Sequence, residues 1–464
     1  MSFALSKTVN PPTVFLARRS ELGDRFDPEM VFFRRKAKNF RYSPAKLKTF
    51  FAESPQYGAG ECGLEREDDA QPRYVRITDI DEYGILTDEL GATAERAELR
   101  YVLAEDDLLI ARSGNTVGKS YLHKEAHAAG VCFFAGYLIR FRFVESELLS
   151  DYVFAFTQLP YYKEWVQAVQ RAAGQPNINA LEYSSLEIPA APISIQKKVV
   201  SLLHNAYAAK RRRDEQAKLF LSSIDDVLLD ELGIPRKLEP PNTLESRIFR
   251  RSLSELTGDR FDPSAHQEKR RRLEKSIHSA RYPVHPLRKL VGTSKTLVNS
   301  ISERDNYVGL ENISRETGEH IPTTEKESVG TAVQFDEGQI LFPKLRPYLN
   351  KTHFATFSGI CSTEFHVFTP EGVSGEYLTA FLRSRAILGI TSLLMTGNTL
   401  PRLQMSDIER LPIPVPPTDV QKKVCAKIND LQDKARTLRE HARADLEKAK
   451  RDIEALILGK EGDE

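Results

Sequence analysis

Apolar residues recurring three and four positions apart mark two long stretches of the chain and predict two long helices. In the first, Val199, Leu202, Ala206 and Ala209 lead into the basic interruption Lys210 to Arg213, the pattern resumes at Phe220, Ile224 and Leu228, and Gly233-Ile234-Pro235 stops it. The second is cleaner: Val424, Ile428, Leu431, Ala435, Leu438, Ala442, Leu446, Ala449, Ile453 and Leu456 form a heptad-like seam with a stutter. At about 1.5 Å per residue, helices of close to ~37 residues span roughly 55 Å. Neither seam can face water alone, so the simplest partner of each helix is the other. The alternative is that each lies flat on a domain of its own.

Between these stretches, shorter apolar runs of four to eight residues predict strands at Arg73 to Ile80, Asp107 to Arg112, Tyr137 to Phe143, Gln339 to Pro343 and Glu364 to Phe368. Val131 to Ile139, nine apolar residues in a row, reads as one buried strand. Helices are expected over Asp151 to Val169 and Gly375 to Ile390, each following its strand series at the same relative place. The mixture is that of an α+β (mixed α/β) protein.

The pattern occurs twice. GDRFDP stands at Gly23 to Pro28 and at Gly258 to Pro263, and YVRITDI (Tyr74 to Ile80) is answered by YVGLENI (Tyr307 to Ile313). DLLIAR (Asp107 to Arg112) is answered by QILFPK (Gln339 to Lys344), and IPAAPISIQKKV (Ile188 to Val199) by IPVPPTDVQKKV (Ile413 to Val424). The offsets of 235, 233, 232 and 225 residues differ only by small insertions, so the chain is two copies of one unit in the same order. The expected layout is a first domain over 1–187, a long helix over 188–233, a linker over 234–245 containing Glu239 to Thr243, a second domain over 246–412, a second long helix over 413–459 and a tail over 460–464.

Composition narrows the class. With 41% hydrophobic and 28% charged residues in 464, the chain reads as soluble and globular, and no apolar run approaches the ~18 residues of a membrane span. The N-terminal residues lack the features of a secretion signal, which predicts a cytoplasmic protein. Cys62, Cys132, Cys361 and Cys425 are far apart, with no Cys-x-x-Cys pair, which argues against zinc and against a disulfide framework. A net charge of +1 hides basic clusters at Phe32 to Lys38, Lys210 to Arg213 and Glu268 to Lys275, and acidic ones at Glu65 to Ala70 and Ser223 to Leu232. Basic clusters on a neutral whole fit one face for an acidic polymer, although each also serves as a solvated helix face.

Candidate chemistry lies where the two copies disagree. Arg112 to Ser120 (RSGNTVGKS) resembles a phosphate-binding loop, but three residues separate Gly114 from Gly118 where that motif needs four, and the counterpart Lys344 to Lys351 has no glycine. Nucleotide binding by one copy alone is not expected. Both loops follow a strand, begin on a basic residue (Arg112, Lys344) and carry a lysine seven residues later (Lys119, Lys351), a layout suited to phosphate contact and base-edge reading. A third duplicated segment, Gly174 to Pro189 against Gly397 to Pro414, brings Gln175, Asn177, Asn398 and Arg402, which suit helix capping or DNA contact alike. No carboxylate pair, Ser/His/Asp set or metal cluster recurs in both halves, and Asn10-Pro-Pro-Thr13 lacks the aromatic residue of the amino-methyltransferase signature.

The RFDP repeat, the strand followed by RSGNTVGK in one copy and FPKLRPY in the other, and the Ile-Pro…Gln-Lys-Lys-Val entry to each long helix together resemble the specificity subunit of type I restriction-modification enzymes, over nearly the whole chain. That resemblance implies two target-recognition domains in tandem with an internal pseudo-two-fold repeat. They are separated by the two long helices as an antiparallel coiled coil, and each reads one half of a bipartite, gapped site on double-stranded DNA. It also implies that the helices dock two methyltransferase (modification) subunits, that restriction (motor and nuclease) subunits join them, and that this chain is not an enzyme. S-adenosylmethionine, ATP and Mg belong to the partners, with no cofactor in this chain. The DNA-contacting residues it suggests are Arg112, Ser113, Asn115, Thr116 and Lys119 in the first domain and Lys344, Arg346, Tyr348 and Lys351 in the second, with Gln175, Asn177, Asn398 and Arg402 as additions. Loops this different imply an asymmetric site. The rivals are the specificity subunit of a fused, type IIG-like restriction-methylation enzyme and a DNA methyltransferase acting alone.

Overall fold

Leu108, Leu109, Ile110 and Ala111 are all fully buried although they alternate across a strand. Leu108 and Ile110 meet Tyr152, Phe156, Tyr162 and Trp165 of a helical layer, while Leu109 and Ala111 meet Val75, Cys132 and Phe134 of a second sheet. A strand covered on both faces reads as a continuous apolar run. The second copy is built alike: Ile340 and Phe342 face Tyr377, Phe381, Ile387 and Ile390, and Leu341 faces Val308, Val333 and Cys361.

In this computed structural model the described residues are 17–19, 28–36, 40–87, 91–96, 98–127, 130–170, 176–236, 243, 248–250, 252, 262–299, 306–322, 330–397 and 399–458. Most of both GDRFDP motifs, Asn10 to Thr13, most of the Glu239 to Thr243 linker, Gln175 and Asn398 lie outside them. Packing divides the chain into two units, one formed by 1–211 with 441–464 and the other by 212–440.

Each unit contains a four-stranded sheet of the same topology. In the first the order is Gln56–Tyr57, Leu138–Phe141, Leu108–Ala111, Ser120–Leu122; in the second it is Val291–Ser294, Phe365–Pro370, Ile340–Pro343, His353–Phe354. Both second sheets hold one parallel pair, Arg73–Val75 beside Cys132–Phe134 and Tyr307–Val308 beside Gly359–Ser362. The copies differ at the neighbouring strand. Ala332–Phe335 pairs with Gly359–Ser362, whereas Ala92–Thr93 pairs with Arg73–Val75, and in that unit Leu103 donates to the Cys132 carbonyl instead.

The repeated Gln-Lys-Lys-Val has a structural reason. Gln196 accepts the Leu149 N–H at 2.9 Å and donates to the Ala191 carbonyl at 2.8 Å; Gln421 accepts the Ser374 N–H and donates to the Pro416 carbonyl, both at 2.8 Å. Each buried amide ties the start of its long helix to the loop before the domain's helical layer. Tyr152 and Tyr377 repeat the device, donating to the carbonyls of Pro189 and Pro414.

The long helices are Ile193–Leu232 and Thr418–Ile457, 40 residues each. In the first unit, Val199 and Leu203 share a core with Leu446, Ile453 and Ile457; in the second, Leu228, Leu229 and Leu232 share one with Val424, Cys425 and Ile428. Glu231 accepts from Lys423 at 3.1 Å and from Lys427. Within each unit the start of one helix thus meets the end of the other, which makes the pairing antiparallel. The seam is rotated by one residue at its start: Leu202 is 41% exposed and Leu203 is 3% exposed, because Gln196, Val199 and Leu203 turn toward the domain core.

Three expected elements are split. The helix over 151–169 is two, Ser150–Thr157 and Pro160–Val169, with Pro160 in a first turn where its missing N–H costs nothing; its counterpart breaks at Ser384, which caps Arg385–Leu394. The apolar run Val131 to Ile139 is two strands, Cys132–Phe134 and Leu138–Phe141, that turn at Ala135 to Tyr137 and enter different sheets. All four cysteines are free thiols, and Cys132, Cys361 and Cys425 are buried.

Candidate nucleic-acid interface

Residues 112–119 and 344–351 each connect an inner strand of the four-stranded sheet to its edge strand, and their backbones follow one plan. Gly114 donates to the Pro176 carbonyl at 3.0 Å and Ile178 donates to the Arg112 carbonyl at 2.8 Å; Arg346 donates to the Pro401 carbonyl and Leu403 to the Lys344 carbonyl, both at 2.9 Å. Ser113 bridges Asn177 as Leu345 bridges Arg402. The duplicated segment before each long helix is therefore a splint along the loop. Gly114 and Gly118 have φ of 82° and 86°; at the equivalent places Arg346 and Asn350 have φ of 47° and 54°. Conformation, together with the Val166 side chain 2.7 Å from where a Cβ on Gly118 would sit, accounts for the glycines without any phosphate.

On that shared frame the side chains differ. The Arg112 guanidinium lies 5.0 Å over the Tyr57 ring. Asn115 and Thr116 stand exposed at the tip of the turn, Asn177 is exposed beside it, and Tyr137 is 63% exposed. Lys119 faces inward, donating to the Ile80 carbonyl at 2.7 Å, and Lys351 repeats this toward the Leu310 carbonyl at 2.7 Å. The two lysines thus tie their loops to the short helical turns that follow the strands Arg73–Val75 and Tyr307–Val308 of the second sheets, and burial lowers the Lys351 pKa.

In the second unit Lys344 is also engaged, donating to the Thr363 carbonyl at 2.7 Å. Burial lowers its pKa, Glu364 works in the opposite direction, and Lys295 adds to the lowering. Arg402 forms a two-pronged pair with Glu364, at 2.8 and 3.1 Å, and the arginine and Lys344 hold that carboxyl below its usual range. Arg346 is exposed, with one contact at 3.5 Å to the Thr399 carbonyl, and Tyr348 is 41% exposed next to it. His366, stacked on Phe368 with ring centroids 5.9 Å apart, lies behind this face with its pKa pushed down to about 4 by burial and by Lys344 and Lys295.

The loops therefore bring outward Asn115, Thr116 and Asn177 in one unit, with Arg112 half-buried against Tyr57, and Arg346 and Tyr348 in the other, and they engage Lys119, Lys344 and Lys351 internally. Tyr57 and Tyr137 were not visible to sequence reasoning, because neither lies in a repeated motif. Among the described residues no group of three or more His, Cys, Asp or Glu could hold a metal ion, and no helix is long and apolar enough to cross a membrane. What the arrangement can do chemically is present hydrogen-bonding, cationic and aromatic groups from rigid loops.

Residues 313–448 match the family model described as the Type I restriction modification DNA specificity domain. The Type I restriction enzyme EcoDI specificity subunit of Escherichia coli is 28% identical over 98 residues, 21% of this chain and 22% of that protein, so the match spans about a fifth of the curated relative's length. Among solved structures, the type I restriction-modification system S subunit from M. genitalium is 12% identical, with a TM-score of 0.40 over 91% of this chain and 97% of that one. The HsdS subunit from Thermoanaerobacter tengcongensis is 13% identical, with a TM-score of 0.33 over 94% and 97%.

Proposed function

We propose that this chain, which belongs to the family of type I restriction-modification specificity subunits, recognises a bipartite, asymmetric site on double-stranded DNA, one half-site per unit. The observation that carries the proposal is the pair of loops at 112–119 and 344–351. One backbone frame with the same splint and the same left-handed positions presents RSGNTVGK in one copy and KLRPYLNK in the other. A frame kept while its exposed side chains change is what reading two different sequences requires. Arg112, Ser113, Asn115, Thr116 and Asn177 on one side and Arg346, Tyr348 and Arg402 on the other are the contacts nearest that face. The paired long helices carry rows of exposed charge and are the natural dock for methyltransferase subunits. These subunits bring S-adenosylmethionine, and restriction subunits bring ATP and Mg, the assembly acting in the cytoplasm.

Mapping methylated adenines across the host genome tests this directly. The expected result is a two-part motif, and exchange of residues 1–187 for those of another specificity chain should alter one half only. Methylation without a sequence motif, or micromolar S-adenosylmethionine binding by the isolated chain, would overturn the proposal.

A further inference from the structure

We infer that Arg112 is a guanine-reading residue of the first unit and that Tyr57 is its positioning residue. The inference rests on the DNA-recognition reading above and extends it to a base and to the atoms that select it.

Four features converge on Arg112. Its backbone is fixed on both sides, the N–H donating to the Tyr137 carbonyl at 2.9 Å and the carbonyl accepting from Ile178 at 2.8 Å. Its guanidinium is stacked on Tyr57, whose hydroxyl accepts the Ala180 N–H at 3.1 Å. Ala180 in turn opens a short helix locked by the reciprocal Asn179 and Glu182 cap, so the ring is tied to a rigid element. Finally, the guanidinium makes no hydrogen bond or ion pair among the described residues, its Nε being buried without a partner. An arginine that stacks by one face keeps the edge of its fork free, and its planar orientation is set before any ligand arrives.

A pre-set guanidinium edge matches guanine in the major groove, where O6 and N7 offer two adjacent acceptors. Adenine offers N7 beside an N6 donor, which repels one prong. The second unit lacks this subsite. Lys344 stands where Arg112 does, donates to Thr363 and is flanked by Lys295, and Arg402 is neutralised by Glu364. The difference predicts a guanine read by this device in one half-site only.

The test is the methylation motif of the complete assembly in its host, compared for the native chain, Arg112→Ala, Arg112→Lys, Tyr57→Ala and Tyr57→Phe. The native chain is expected to show a guanine in the first half-site. Arg112→Ala should lose tenfold or more of the preference at that one position with the second half unchanged. Arg112→Lys, which keeps the charge and loses the fork, should relax the same position. Tyr57→Ala should relax it too, while Tyr57→Phe, which keeps the stacking ring, should preserve most of the discrimination; a merely structural role for Tyr57 would not act at one base. Retention of every base in Arg112→Ala and Arg112→Lys overturns the inference. So does a uniform loss of affinity across sequences with a smaller salt slope, which is the mark of a phosphate contact. Absence of any motif with the native chain would instead sink the DNA-recognition reading beneath it.

Discussion

Arg346 occupies the left-handed region at φ 47°, where the other copy has a glycine at φ 82°. A non-glycine residue there costs on the order of 1 kcal/mol, part of which glycine would return as chain entropy in the unfolded state. Arg346→Gly is therefore expected to leave stability unchanged or raise it by up to about 1 kcal/mol in urea denaturation, while weakening recognition of the second half-site. A clear loss of stability would show that the Arg346 side chain supports the fold. His366 makes a separate prediction. Its folded pKa of about 4 lies below the ordinary 6.5, so the unfolded chain takes up a proton first as pH falls. Stability is thus fully present above pH 6.5 and declines toward pH 4, by on the order of 3 kcal/mol from this residue. His366→Phe should flatten the pH dependence of unfolding over that window, and an unchanged slope would place the titration elsewhere. At this scale the sequence named the loops but not which cations point outward. Lys119 and Lys351 read as phosphate contacts, and only their distances to backbone carbonyls reveal the inward role.

Elements were easier to read where burial was one-sided in sequence and harder where a turn interrupts it. The long helices declared themselves by period. The split of Val131 to Ile139 did not, because the turn at Ala135-Gly136-Tyr137 is marked only by Gly136, which reads as part of the apolar run without a proline, asparagine or aspartate beside it. The repeated glutamine was visible as identity, and the structure supplies the cause: in each copy one buried amide binds a backbone N–H and a backbone carbonyl, and Gln196 also donates to the Glu147 carbonyl at 2.9 Å. Gln421→Ala strands the Ser374 N–H and the Pro416 carbonyl and is expected to cost about 2–4 kcal/mol. Gln421→Glu, which keeps the acceptor and loses the donor, should cost less than Ala if the N–H contact dominates. Thermal unfolding of the two variants, with the matching pair at Gln196, would show whether both copies rely equally on the device; a loss under about 0.5 kcal/mol in either copy would contradict it.

At the scale of the whole molecule, tandem repeats suggest that each copy folds from its own half of the sequence, and packing contradicts that simplification. The first unit is completed by residues 441–464, from the far end of the chain. Leu446, Ile453, Ile457 and Leu458 enter its core, Glu454 accepts the Tyr161 N–H at 2.7 Å, and Arg41 donates to the Ile457 carbonyl at 3.2 Å. The heptad pattern revealed that this segment needs a partner, but periodicity carries no information about which domain receives it. Truncation after Glu440 should therefore damage the opposite end of the sequence from the cut. Hydrogen exchange is expected to show protection lost in Leu108–Ala111, Leu138–Phe141 and Pro160–Val169 while Ile340–Pro343 and Phe365–Pro370 stay protected. Ile453→Ala, a milder form of the same lesion, should destabilise the first unit by about 2–5 kcal/mol. Equal loss in both units, or loss confined to the second, would mean that the C-terminal turns of the second long helix do not belong to the core in which they are packed.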